Sequence, residues 1–157
     1  MKAGFNTKLL ELTPKVIAWA EDKCSFILRE GQPLDELLLT AARNVGVNQP
    51  EHIRVAKVSI IPEPDSPDLK QAAHDIGLLD SRTVGLTFGY GIIVCQGCWN
   101  TRLLCHEFRH VYQYEQAGSI AAFLTVYLQQ IVAVGYNNAP FEIDARVYES
   151  LCLKSTI

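Results

Sequence analysis

The sequence predicts an α+β fold, mostly helical, with a small sheet in its middle. Three observations carry this. Apolar residues recur at helical spacing towards both ends of the chain. The clearest β-branched alternation lies in HIRVAKVSII, residues 52–61. The elements run helices, then strands, then helices, rather than alternating βαβ. With 157 residues, 48% of them apolar, the chain suits one domain, 1–157, around one hydrophobic core.

Leu9, Leu12, Val16, Trp19 and Ile27 place a helix over residues 9–29, with Pro14 blurring its start. GQP at 31–33 breaks it, and residues 34–44 form a second helix that ends near Gly46. Residues 52–61 are a strand. PEPDSPD at 62–68 is a loop, after which Asp68 can cap a short helix over 69–79. TVGLTFGYGIIVC, 83–95, reads as one glycine-rich strand with a bulge or a close backbone approach at Gly85, Gly89 and Gly91. A helix over 101–116 ends at Gly118, and Ser119 caps the next, which runs to about Val134. After the GYNNAP loop, Pro140 opens a last helix that extends to about Leu153.

A net charge of −3 without a long block of one sign leaves no electrostatic footprint for nucleic acid. The longest apolar run, 120–128, resumes at 131–134 after Gln129-Gln130, too interrupted to span a bilayer, so it reads as a buried helix. The N-terminal stretch has no secretory core, being broken by Glu11, Pro14, Lys15 and Glu21. The five cysteines, 24, 95, 98, 105 and 152, are an odd number, and free thiols in a reducing cytoplasm are expected. Cys95-x-x-Cys98 is a lone pair with no partner at zinc-finger spacing. Buried thiols are its simplest reading.

The chemistry concentrates in LLCHEFRHVYQYEQ. His106 and His110 stand at i and i+4, so both imidazoles leave one helix face. Glu107 is rotated by about 100° from His106, able to reach a water beside a metal without ligating it. Leu103, Leu104, Val111 and Tyr114 make the helix apolar on several sides, so its polar groups need partners. A metal satisfies them in one step; Asn, Ser or backbone partners are the alternative. A third ligand is offered by Glu142, 32 positions after His110 at the start of the last helix, with room between for one antiparallel helix and a return loop. A helix N-terminal acid favoured by the macrodipole explains Glu142 equally well.

HEFRHVYQYEQAG followed by GYNNAPFEIDAR resembles the gluzincin branch of the zincin-like metallopeptidases, and in particular small bacterial zincin-like domains. The resemblance covers about residues 83–150. It implies a zincin-like fold with an edge strand, GLTFGYGIIV, beside the HExxH helix. It makes His106, His110 and Glu142 ligands of Zn2+ and Glu107 the general base of peptide-bond hydrolysis. The partner would be a peptide or protein substrate, bound as an added strand. Arg146 stands where several gluzincin groups carry an Asp that supports a His ligand, so either Asp144 or another acceptor takes that role or Arg146 faces elsewhere. Tyr136, His74 and Arg146 are the candidates for polarising a substrate carbonyl. The competing reading is a catalytically inactive binding or regulatory module that keeps a structural zinc.

Overall fold

The computed structural model describes residues 2–154, with side chains described for 7–152. In chain order it contains α1 (Lys2–Glu11), α2 (Thr13–Glu30), β1 (Gln32–Pro33), α3 (Glu36–Asn44), β2 (Arg54–Val58), α4 (Pro67–Asp75), β3 (Gly85–Phe88), β4 (Gly91–Cys95), α5 (Thr101–Ala117), α6 (Ile120–Val134) and α7 (Pro140–Lys154). The α+β class holds, with helices at both ends and one sheet of order β1-β2-β4-β3 between them. β2 and β4 are parallel, and the two outer pairs are antiparallel.

The first expected helix is two. α1 ends at Glu11, and α2 restarts with Pro14 in its first turn, where a missing N–H leaves no bond unmade. The expected strand over 83–95 folds back as the β3–β4 hairpin, with Phe88 opposite Gly91 across the loop Gly89-Tyr90. Gly89, at φ +62°, takes the first loop position of a tight hairpin, which a side chain disfavours. α4 starts at Pro67, which puts Asp68 inside the first turn rather than at the cap. Ser119 caps α6 as expected, accepting from the Ala122 N–H at 3.0 Å, and Asn100 caps α5 in the same way at 2.8 Å.

Two buried clusters replace the single core, because side chains alternate across β4. Ile92 and Val94 pack with Phe108 and Val111 of α5 and Ala42 of α3. Ile93, on the other face, packs with Ile27 of α2 and with Phe123 and Leu128 of α6. Among the described residues no single helix is long and apolar enough to cross a membrane. α6 is instead a 15-residue helix that buries Phe123, Leu124, Tyr127, Leu128 and Ile131.

The free-thiol expectation fails for two of the five cysteines. Cys105 on α5 and Cys152 on α7 form a disulfide with a Cα–Cα separation of 6.2 Å, while Cys24, Cys95 and Cys98 are free. Counting cysteines does not reveal which of them face each other, and the packing of α7 on α5 decides this pair. The chain turns through 112° between α5 and α6 rather than running antiparallel, and it still brings α7 back against α5.

Candidate metal centre

α5 buries Phe108 and Val111 against the sheet, which turns its His106/His110 face towards α7. The start of α7 supplies Glu142, which is 2% exposed. Glu142 Oε2 lies 2.9 Å from His110 Nε2 and 3.3 Å from His106 Nε2, and the two Nε2 atoms are 3.2 Å apart. The structure thus brings together the three residues singled out as ligands.

The surrounding hydrogen bonds decide which atoms carry protons. Gln113 Nε2 donates to the Phe141 carbonyl and to Asp144 Oδ2, both at 2.9 Å, which leaves Gln113 Oε1 as an acceptor for His110 Nδ1–H at 2.8 Å. His106 Nδ1 donates to Glu149 Oε2 at 2.9 Å. With both protons on Nδ1, two bare Nε2 lone pairs and a carboxylate oxygen point at one another. Glu142 Oε2 is buried and has no hydrogen bond, while its Oε1 accepts from Tyr127 Oη at 3.2 Å. Three convergent donors without a proton repel, and one cation satisfies all three. This group can hold a metal ion.

Without a cation, a proton takes its place. Burial alone would push the His106 imidazole down, but Glu142 and the charge of Glu107 outweigh it and carry the group up to about 9. His110 is raised for the same reasons. Burial would raise Glu142, but the two imidazoles, once protonated at Nε2, would donate to it and with their charges hold it well below the usual carboxylate range. A metal ion held here would therefore compete with protons for the same lone pairs.

Glu107 lies beside the cluster and is no part of it. Thr87 Oγ1 donates to Glu107 Oε2 at 2.6 Å, which fixes the carboxylate and leaves Oε1 facing β3. A Cβ on Gly85 would sit 3.1 Å from that Oε1, so glycine is what lets the carboxylate lie against the strand. β3 is the sheet edge. The Cys95 N–H bonds to the Val84 carbonyl, so alternation turns the main-chain groups of Gly85 and Thr87 to the free side, where Tyr114 Oη donates to the Thr87 carbonyl at 3.1 Å.

Two spaces meet at these residues. A cleft of about 940 Å³ runs past Gly85, His106, Glu107, Tyr136 and Glu149. A smaller chamber of about 70 Å³ opens behind Glu107, His110 and Glu142, walled by Trp19, Leu79, Phe88, Phe123 and Leu124. Of the three candidates for polarising a carbonyl, only Tyr136 lines these spaces. Burial and the Glu142 charge push its hydroxyl up, so it stays a donor. His74 is paired with Glu63 at 2.8 Å, and Arg146 donates to the Asn137 carbonyl.

Asp144 does not support a histidine directly. It accepts from Arg109 Nε at 2.7 Å and from Gln113, and Gln113 holds His110. Glu149, which the sequence reading missed, holds His106 and also accepts from Arg102 Nε and Nη2 at 2.9 and 2.7 Å. Two local signals could have found these residues. Gln113 is one turn past His110, and Glu149 is two turns past Glu142 on the same helix face. Thr87 and Tyr127 have no local signal. Comparison with protein-family models, curated proteins and solved structures returns no match.

Proposed function

We propose that the chain is a zinc-dependent peptidase of the gluzincin kind that its motif resembles. The observation that carries this is the triangle of bare donors, His106 Nε2, His110 Nε2 and Glu142 Oε2, with edges of 2.9–3.3 Å. Tetrahedral zinc bonds of about 2.0–2.1 Å would set such donors about 3.3 Å apart. Cys98 lines the cleft, but the three donors are two imidazoles and a carboxylate, the mixed set found in hydrolytic rather than purely structural zinc sites.

A bound zinc ion would polarise a carbonyl and lower the pKa of water at its open position. Glu107 Oε1 takes the water proton and delivers it to the leaving amine, while Oε2 stays anchored on Thr87. The free edge at Gly85 would hold an extended peptide through main-chain hydrogen bonds, with little demand on its side chains. One demand remains. The chamber beside Glu107 is small and apolar-walled, so it suits a compact aliphatic side chain next to the scissile bond. The Tyr136 hydroxyl, which lines the same cleft, would be the donor that meets charge developing on the carbonyl oxygen.

The test begins with metal content. Protein purified without added metal should carry about one zinc per chain, and Glu142→Ala much less. Glu107→Gln should keep the zinc and lose turnover of peptides with a central Leu or Val by at least about 10²-fold. Undiminished turnover in Glu107→Gln would end the mechanism. Full zinc in the wild type and in Glu107→Gln, with no hydrolysis of any peptide by either, would favour the binding-module reading.

A further inference from the structure

The disulfide Cys105–Cys152 sits where it can govern the metal centre. Cys105 immediately precedes His106 on α5, and Cys152 lies one turn past Glu149, the acceptor that orients His106. α5 carries His106, His110 and Gln113, and α7 carries Glu142, Asp144 and Glu149. The three ligand atoms and the groups that hold the two imidazoles therefore all come from the two helices that this bond joins, while Tyr127 of α6 holds Glu142 from outside them. No other covalent link holds α7 to α5, because the remaining cysteines among the described residues are free. Both half-cystines are fully buried, in the cluster that contains Ala42, Ile92 and Phe108.

We propose that Cys105–Cys152 is a redox latch on the metal site, closed when oxidised and weakening metal retention when reduced. A dithiol reductant opens it by exchange. One thiolate attacks a sulfur of the bond and releases the other cysteine, the second thiolate attacks the reductant's own sulfur in the mixed disulfide and releases the remaining cysteine, the reductant leaves as its own disulfide, and two electrons and two protons end on the Cys105 and Cys152 thiols. Free of the bond, α7 can shift relative to α5. A small displacement of Glu142 or Glu149 then spoils donor geometry that holds only within tenths of an ångström. The coupling is reciprocal, since a metal ion bridging His106, His110 and Glu142 itself clamps α7 to α5. Metal loading thus slows the local opening that buried sulfurs need before a reductant can reach them.

The latch rests on the metal reading but not on peptidase activity, so its test reads metal and thiols. In denaturant without reductant the chain should show three reactive thiols, rising to five after reduction. Five at the outset, in protein handled in air, would overturn the latch. Oxidised and phosphine-reduced protein are then titrated with zinc against a chromophoric chelator. The reduced form, and Cys105→Ala/Cys152→Ala confirmed folded by circular dichroism, should hold zinc at least tenfold more weakly. Zinc should slow phosphine reduction of the folded wild type by at least tenfold. Equal zinc affinity in the two redox forms sinks the latch and leaves the metal centre standing; no zinc on either form sinks both.

Discussion

At His106 one lone pair decides between a proton and a cation. In the metal-free protein its pKa is carried from 6.5 up to about 9. A raised imidazole contributes stability that is fully present below pH 6.5 and is lost as the pH rises through 9, on the order of 3 kcal/mol. Chelator-treated protein should therefore lose resistance to urea between pH 6.5 and 9, and a gain across that window would contradict the cluster described here. Zinc affinity should run the other way, rising with pH up to about 9 as the competing proton leaves. Glu149→Gln removes the carboxylate that orients His106 while keeping its size. The expected cost is 10–100-fold in zinc affinity, read by chelator competition, with the fold intact. The histidines, Glu107 and Glu142 were legible at this scale because two of them share a helix face and one opens a helix. Glu149 has a local sign in its place two turns past Glu142, but its pairing with His106, 43 residues away, has none.

At the scale of elements, the β3–β4 hairpin is what sets the edge strand beside Glu107. The turn depends on Gly89 at φ +62°, where an added Cβ would also lie 3.3 Å from Cys24 Sγ. Gly89→Ala should cost about 1–2 kcal/mol, seen as a lower urea midpoint at unchanged slope. An unchanged midpoint would mean that the turn relaxes freely. The disulfide acts between elements. It spans 47 positions, and loop-closure entropy assigns it about 4 kcal/mol of stability at 25 °C. The glycines are legible in the sequence, but residues 83–95 read as one strand, since β-branched and glycine residues satisfy a strand and a hairpin equally. The bounds of α5, α6 and α7 are legible to within a residue or two, because capping residues and glycine mark helix ends locally.

For the whole molecule, the disulfide and the donor group that could hold a metal ion join the same pair of helices, α5 and α7. Zinc held at a thousandfold above its dissociation constant adds about 4 kcal/mol to the folded state. In a chain of this size that is a fall of roughly 8–16 °C in Tm when zinc is removed, measured by scanning calorimetry with and without chelator. No fall would mean that the donors bind no ion. The sequence by itself determined the α+β class, the helix that presents two histidines and a glutamate, and the Glu142 that opens the last helix. Each of these is a local matter of period, cap and spacing. Tertiary structure alone decided that Glu142 meets the histidines, that Glu149 and Gln113 assign their protons, that Thr87 anchors Glu107, and that Cys105 finds Cys152. Those pairings, the neighbouring His110–Gln113 excepted, join residues from 20 to 47 positions apart, and the packing of α5 on α7 and on the sheet, which leaves no periodic trace in the chain, brings them together.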